Sequence, residues 1–200
     1  MTELLGTVKR RAEDNKRLQR TRNKFRGAEA QPLAVREHVV RTAKDQDAEA
    51  ACHVLRRSIA ECCIEDHKND PLVLQNWLEN KTPENVRAWF QNAGSFAVVL
   101  EAAGKIAGVA LMSKTGEVAL CYLVPEARFI GAGKALLSSM ETEAIRRGLD
   151  TLQLESTATA QAFYRRNGFV SYGEPRRAFE ITAFPMRKKL STHATHGNDG

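Results

Sequence analysis

Hydrophobic residues recur along this chain at two periods, and these periods predict where helices and strands lie. A period near 3.6 residues, typical of amphipathic helices, predicts three helices in the first half, after Asp45, Asp70 and Thr82. Each of these residues is a suitable N-cap, and proline follows Asp70 and Thr82 at the first helical position. A fourth such helix is predicted between Gly133 and Gly148, whose glycine marks a helix end.

Apolar runs between these helices predict the strands, several of them with a period of two. The predicted strands lie at 35–41, 96–100, 106–112, 118–124, 149–154, from 169 onward, and at 179–183. Short turns separate the second, third and fourth strands, so these three are expected to pair antiparallel. A further short helix is predicted between the fifth and sixth strands. This order predicts an α/β fold with a mixed central sheet of about seven strands flanked by helices.

The two ends of the chain differ in composition from its middle. Residues 1–30 contain nine Lys and Arg against four acids, a balance of +5 within the net charge of +6. Because this segment has few apolar residues to bury, we predict a basic extension that is disordered or loosely helical. The folded domain is predicted at 31–190, and the polar residues 191–200 are predicted to form a flexible tail.

Two further features limit the class of protein. No run reaches the roughly 18 apolar residues of a membrane-spanning helix, so no membrane partner is expected. The four cysteines show no Cys-x-x-Cys spacing, which favours reduced thiols and a cytoplasmic location. His193 and His196 form an isolated pair in the polar tail, and we therefore predict no metal site.

A glycine-rich loop joins a predicted strand to the fourth helix. It contains Arg128, Gly131 and Gly133, and unpaired N–H groups at the helix start favour an anion such as a diphosphate. Arg128 and Lys134 add positive charge, and glycine lets the backbone approach a ligand closely. A nucleotide P-loop would place a hydroxyl residue after Lys134, but Ala135 stands there.

Two motifs resemble the signatures of the GNAT acetyltransferase superfamily. The glycine-rich loop satisfies the coenzyme A pattern Arg/Gln-x-x-Gly-x-Gly/Ala in full. Downstream, the chain resembles the second pattern, Asn-x-x-Ala-x-x-x-Tyr-x-x-x-Gly-Phe. The residues at its matching positions are Ala160, Tyr164, Gly168 and Phe169, with Thr157 in place of the asparagine.

This resemblance covers roughly residues 35–190 and implies a GNAT fold that binds acetyl-CoA as co-substrate, without a metal. In such a fold the strand before the loop splays from the next strand, and the acyl-pantetheine arm lies in the gap. The residues that the resemblance places against the cofactor are Leu123, Val124, Arg128, Phe129, Gly131, Ala132, Gly133, Lys134, Ala135, Thr157 and Tyr164.

The resemblance also suggests the catalytic residues. Tyr164 occupies the position of the tyrosine that many members use as the acid for the leaving thiolate. Glu117 lies on the strand where some members carry a catalytic glutamate, and Glu155, at the end of the next strand, is the rival base. Asp66 and His67 precede the second helix and are candidates for the acceptor site, although His67 is expected at the surface.

The sequence therefore predicts an N-acetyltransferase that moves an acetyl group from acetyl-CoA to a small-molecule or peptide amine by direct attack. Two alternatives stay open: a non-catalytic coenzyme A-binding regulatory module, and a GNAT enzyme that acts on charged tRNA or other RNA through residues 1–30. We otherwise expect no nucleic-acid partner, and the sequence is compatible with a homodimer. No motif identifies the acceptor.

Overall fold

The strands and helices follow the predicted order in a computed structural model, which describes residues 38–178 and 180–191. The strands are β1 (His38–Thr42), β2 (Phe96–Ala102), β3 (Lys105–Met112), β4 (Val118–Leu123), β5 (Thr151–Ser156), β6 (Val170–Ser171), β7 (Arg176–Ala178) and β8 (Ile181–Lys189). The helices are α1 (Ala48–Cys62), α2 (Ile64–His67), α3 (Pro71–Leu78), α4 (Pro83–Gln91), α5 (Ala132–Arg146) and α6 (Gln161–Arg166). The predictions for 1–30, for most of the tail and for Phe179 fall outside the described residues.

The predicted mixed α/β fold is confirmed. The first four strands form an antiparallel sheet in the order β1-β2-β3-β4. A second sheet has the order β5-β8-β6, and β7 also pairs with β8. The described residues contain eight strands rather than about seven, because the last predicted strand is a hairpin of β7 and β8.

Local sequence signals place the two proline-started helices. The Asp70 carboxylate accepts hydrogen bonds from the amides of Leu72 and Val73 at the start of α3, and the Thr82 hydroxyl accepts one from Asn85 in α4. The start of α1 differs from the prediction. A short 3-10 turn occupies Asp45–Asp47, and α1 begins at Ala48 without a side-chain cap.

Helices cover both faces of the first sheet. Every residue of β3 from 107 to 112 is buried, so neither face of this strand is open to water. Both α1 and α5 contact β3. Gly108 allows this packing, because a Cβ there would lie 2.6 Å from Leu123 Cδ2 and 3.1 Å from Leu136 Cδ1. Gly108 thus allows α5 to pack on the sheet next to the end of β4.

A smaller hydrophobic cluster holds α3 against the end of α1 and against β8. Its buried members are Ile59, Cys63, Trp77 and Ile181, and Tyr122 packs against it from β4. Trp77 is 3% exposed and is therefore a core residue. This cluster fixes α2 and α3 beside the last residues of β4.

Two kinds of feature are absent from the described part of the chain. None of its helices is long and apolar enough to cross a membrane. Within 38–178 and 180–191, no three His, Cys, Asp or Glu side chains come together in a group that would hold a metal ion.

Candidate active site

A groove of about 740 Å³ lies where β4, β5, the glycine loop and α6 meet. Its wall includes Leu123 from β4, Gly131 and Gly133 from the loop and the start of α5, Glu155 from β5, and Tyr164 from α6. The fold therefore brings both sequence motifs to a single site.

The two strands that border the groove are parallel neighbours that meet once and then separate. Glu117 and Gln153 form an isolated parallel bridge, and the Gln153 N–H donates to the Gly116 carbonyl at 3.0 Å. In the described residues no further pairing joins these strands, since β4 pairs with β3 and β5 pairs with β8. Beyond the bridge, the facing edges leave backbone N–H and C=O groups that an extended ligand can pair with.

The backbone of Leu123 faces this gap, whereas the amide of Val124 does not. The Val124 N–H donates to the Ala107 carbonyl at 2.9 Å. Bonded and non-bonded positions alternate along an antiparallel pair, so Leu123, opposite Gly108, directs its N–H and C=O away from β3. Of these two strand-end residues, Leu123 is the one that offers main-chain groups to the groove.

The glycine loop leads into an open helix N-terminus. Gly131 is the N-cap of α5 with a φ of +89°, a left-handed conformation that favours glycine, and no side chain caps the helix. The Ala135 N–H already donates to the Gly131 carbonyl at 3.0 Å. The amides of Ala132, Gly133 and Lys134 precede this bond and are the groups that an anion would bind.

Basic side chains surround this end of the groove. Arg128, Lys134, Arg166 and Lys188 line it, and Lys188 also pairs with Glu141 at 2.7 Å. The free helix amides together with these cations suit a diphosphate, because both the helix dipole and the side-chain charges favour an anion. The residues present therefore fit the diphosphate of coenzyme A.

Glycine is required for different reasons at the two positions. At 133 the reason is side-chain packing, and at 131 it is the backbone conformation. A Cβ at Gly133 would lie 3.0 Å from Cε2 and Cζ of Phe163, closer than ordinary contact. A Cβ at Gly131 would meet no atom within 4 Å, so only its positive φ favours glycine. The sequence predicts that both glycines let a ligand approach the backbone closely. Gly131 has the free space for this, whereas the space beside Gly133 is filled by Phe163, which lets α6 pack against the start of α5.

Tyr164 lines the groove from α6 and is 7% exposed. Its ring packs edge-on against Phe163 and Phe169, with centroids 5.2 and 5.6 Å away. Burial raises the pKa of the Tyr164 hydroxyl well above its usual range, and the neighbouring Cys121 thiol raises it further. The hydroxyl is therefore protonated at physiological pH and can act as a hydrogen-bond donor.

The loop before α6 is held by two side chains. Thr157 Oγ1 accepts a hydrogen bond from the Ala160 N–H at 3.3 Å. Asp66 Oδ1 accepts from the Ala158 N–H at 2.7 Å and from the Thr159 N–H at 3.4 Å. The Asp66 contact joins α2 to a loop more than 90 residues away, and no local sequence signal indicated it.

His67 is buried, so its expected surface position is wrong. It is 2% exposed, and its Nδ1 accepts a hydrogen bond from the Asn69 N–H at 3.1 Å. His67 Nε2, Asp66 Oδ2 and Thr159 Oγ1 are buried atoms without a hydrogen-bond partner among the described residues. The last two belong to the contact between α2 and the loop 157–160.

The two acids considered as the base lie in different places. Glu117 is exposed at the bridge where β4 begins, and it is outside the set of described residues that line the groove. The register of β3 and β4 shifts between Leu111 and Met112, and such a bulge breaks the strand alternation near Glu117. Glu155 does line the groove, with its Oε1 3.6 Å from Arg176 Nη1. Glu155 and Tyr164 thus line the same groove, although the Glu155 side chain is 40% exposed.

Three free cysteines, Cys62, Cys63 and Cys121, also line the groove. Burial raises the pKa of Cys63 to about 12, with a smaller contribution from the Asp66 charge. Burial likewise raises the pKa of Cys121 to about 12, although contact with Tyr164 lowers it in part. At neutral pH both buried thiols are protonated and are therefore poor nucleophiles.

Comparison with known proteins agrees with this geometry. Residues 44–190 match the profile of the acetyltransferase (GNAT) domain. A search of curated proteins gave no significant sequence match.

Solved structures share the fold at low sequence identity. A GCN5-related N-acetyltransferase of Rhodopseudomonas palustris superposes with a TM-score of 0.68 at 18% identity, over 76% of this chain and 95% of that one. PaiA N-acetyltransferase of Thermoplasma acidophilum, solved with coenzyme A, gives 0.65 at 20% identity, over 76% and 99%. YncA of Salmonella typhimurium, solved with acetyl-CoA, gives 0.60 at 22% identity, over 79% and 96%.

The contact between Gly133 and Phe163 predicts a coupled pair of substitutions. Gly133→Val should destabilise the fold by about 1–3 kcal/mol, because the added methyl groups collide with the ring. Phe163→Ala should remove most of this cost, as measured in a double-mutant cycle by urea unfolding. Gly131→Val serves as the control. Its cost of about 1–2 kcal/mol comes from the positive φ and should be the same with or without Phe163. Equal costs for Gly133→Val in both backgrounds would contradict a packing role for Gly133.

The buried Cys63 thiol predicts a loss of stability at alkaline pH. The pKa of Cys63 is raised to about 12 in the fold, whereas an unfolded thiol has a pKa of about 8.5. The contribution of this thiol to the unfolding free energy is complete below about pH 8.5. At higher pH the unfolded chain loses the thiol proton before the folded chain does, and the unfolding free energy falls by about 1.4 kcal/mol per pH unit. The fall in unfolding free energy from pH 8 to 10 should therefore be about 2 kcal/mol smaller in Cys63→Ala than in the wild type.

Urea unfolding at a series of pH values measures this difference. Cys62→Ala is the matched control, since this neighbouring cysteine is only half-buried. A slope in Cys63→Ala identical to that of the wild type would argue against burial of an ionisable thiol at this position.

Proposed function

Because the chain belongs to the GNAT acetyltransferase family, we propose that it transfers an acetyl group from acetyl-CoA to the amine of a small molecule or peptide by direct attack. The observation that supports this most is the separation of β4 from β5, which opens a groove from the glycine loop to Tyr164. The amides at the start of α5 and the cations beside them hold the diphosphate. The main-chain groups of Leu123 pair with the pantetheine arm.

The acceptor amine must be neutral before it can attack. An amine with a pKa of about 10.4 is neutral in roughly one molecule in 2,500 at pH 7, which corresponds to a cost of about 4.6 kcal/mol. A base in the groove accepts the proton that the amine must lose and passes it on to water, so that the neutral amine forms inside the site. We assign this role to Glu155, whose carboxylate lines the groove at the end of β5.

The thioester supplies an activated acetyl group, and the protein must accommodate the thiolate that leaves. Tyr164 faces the groove as a neutral hydroxyl, because burial raises its pKa. At ordinary pKa values, full transfer of a proton from tyrosine to a thiolate is uphill by about 2 kcal/mol, and the raised pKa increases this difference. Tyr164 therefore acts as a hydrogen-bond donor that stabilises the developing charge on sulfur as the thiolate leaves.

Direct attack fits the state of the cysteines. A covalent route would require an acyl-cysteine, but the pKa of Cys121 is raised to about 12 by burial. A thiol of this kind is ionised in only about one molecule in 10⁵ at pH 7. The amine therefore attacks the thioester without a protein-bound acyl intermediate.

Two measurements test the proposed function. Calorimetric titration with acetyl-CoA tests cofactor binding, and release of free thiol over a panel of small amines and short peptides tests transfer. Tight binding with no transfer to any acceptor would favour the regulatory coenzyme A-binding module instead. Strongly salt-dependent RNA binding, lost on deletion of residues 1–30, would favour an enzyme that acts on RNA. Absence of acetyl-CoA binding would overturn the assignment.

Tyr164→Phe should lower kcat by about 100-fold or more, within the usual range for one acid–base group. The substitution removes the hydroxyl and keeps the ring that packs on Phe163 and Phe169. Acetyl-CoA affinity and melting temperature should therefore stay close to those of the wild type. Wild-type turnover in the variant would leave Tyr164 with a packing role only.

Glu155→Gln should lose most activity at low pH and recover as the pH rises, because the neutral amine then becomes abundant without a base. Glu117→Gln is the control, since Glu117 lies outside the set of described residues that line the groove. Its kcat/KM should follow the wild-type pH profile. If Glu117→Gln changes the pH profile of kcat/KM and Glu155→Gln does not, the roles of the two acids are reversed.

A further inference from the structure

Phe129 is an aromatic side chain that the fold leaves almost entirely in solvent. It is 89% exposed, the highest value among the exposed large hydrophobic residues of the described chain. Single exposed apolar residues are common on protein surfaces. A phenylalanine this exposed nevertheless loses the stabilisation that burial of its ring would give.

The backbone of Phe129 is also unfavourable for the free protein. Its φ is +65°, in the left-handed region that is unusual for a bulky residue and that glycine would adopt without strain. Two residues later, Gly131 takes a φ of +89° in the same loop. The position thus carries an exposed ring where a glycine would suit the backbone better. Neither the exposed ring nor the positive φ stabilises the fold, and this points to a role for Phe129 in ligand binding.

The surroundings of the ring indicate which part of a ligand it meets. The Arg128 guanidinium lies 4.8 Å from the ring centroid, and both side chains line the groove. Phe129 precedes the N-cap of α5 by two residues, so it stands at the diphosphate end of the groove. Leu123 and Tyr164, to which the proposed function assigns the arm that carries the thioester, come from β4 and α6 rather than from the glycine loop.

We propose that Phe129 is a stacking platform for the purine base of the nucleotide attached to that diphosphate, and that it makes the site selective for thioesters that carry a nucleotide. This inference rests on the proposed function, because it assumes that the diphosphate of acetyl-CoA binds at the start of α5. Base–aromatic stacking needs an open ring face near a phosphate site, and the exposed ring of Phe129 provides it. Arg128 orients the ring and adds a positive charge at the same place.

Calorimetric titration of variants with three probes tests this proposal. The probes are acetyl-CoA, adenosine 3′,5′-bisphosphate, which lacks the arm, and S-acetyl-phosphopantetheine, which lacks the nucleotide. Phe129→Ala keeps the strained backbone and removes the ring. We expect it to weaken binding of the first two probes by roughly 5- to 100-fold, as loss of base stacking does, and to change the third by less than about 2-fold. Phe129→Trp should restore the affinity.

Phe129→Gly separates the ring from the backbone strain. It should lose as much affinity for acetyl-CoA as Phe129→Ala, while its melting temperature is equal or higher because glycine adopts the positive φ without strain. An equal loss of affinity for all three probes in Phe129→Ala would mean that the ring supports the loop or the arm, and would overturn the proposal. Unchanged affinity for acetyl-CoA would overturn it as well.

Two further results would also decide against stacking. If Phe129→Ala changes the sedimentation behaviour of the free protein, the ring belongs to an interface between protein chains and the proposal fails. If the wild type binds none of the three probes, the proposed function itself is wrong. If the wild type and Phe129→Ala bind acetyl-CoA with the same affinity, the stacking role is rejected and the proposed function is not.

Discussion

The architecture of the site depends on two parallel strands that are prevented from pairing. β4 and β5 meet at the bridge between Glu117 and Gln153, and within the described part of the chain each then pairs only with its outer neighbour. Backbone N–H and C=O groups in a protein interior must find partners, so an unpaired edge inside a fold is stable only with solvent or a ligand against it. We therefore propose the edge at Leu123 as the surface at which a ligand pairs with the main chain.

The elements that hold this gap open are joined to the glycine loop by close packing. Phe163 occupies the space that a side chain at Gly133 would need, and Leu136 packs onto β3 at Gly108. These contacts fix α5 relative to β4 on one side and to α6 on the other. The open N-terminus of α5 and the Tyr164 hydroxyl consequently lie in a single groove, although they come from different motifs.

The groove is lined by two kinds of residue, and this suits a ligand with two unlike parts. Cations and free helix amides surround the glycine loop, where a polyanion is stabilised. Around Cys63, Cys121 and Tyr164, burial raises the pKa of each group, which keeps the groups neutral. A neutral, poorly solvated environment favours a neutral amine over its cation. Desolvation and the Glu155 carboxylate thus contribute to the same step of the proposed reaction.

The amino-acid sequence by itself determined the order of the elements and the two motifs, because these follow from local properties. The N-caps at Asp70 and Thr82 and the strand-like run before the loop are all local, and the structure has them as the sequence indicates. The signature around Tyr164 is local as well, and it singles out that residue without any knowledge of the groove.

Only the tertiary structure decided which side chains meet. The sequence favoured Glu117 over Glu155 as the base, but of these two exposed acids it is Glu155 that lines the groove. The link from Asp66 to Ala158 spans more than 90 residues, and the burial of His67 results from packing around it. Contacts of this kind depend on how separate segments pack together, and neither periodicity nor residue type within one segment contains that information.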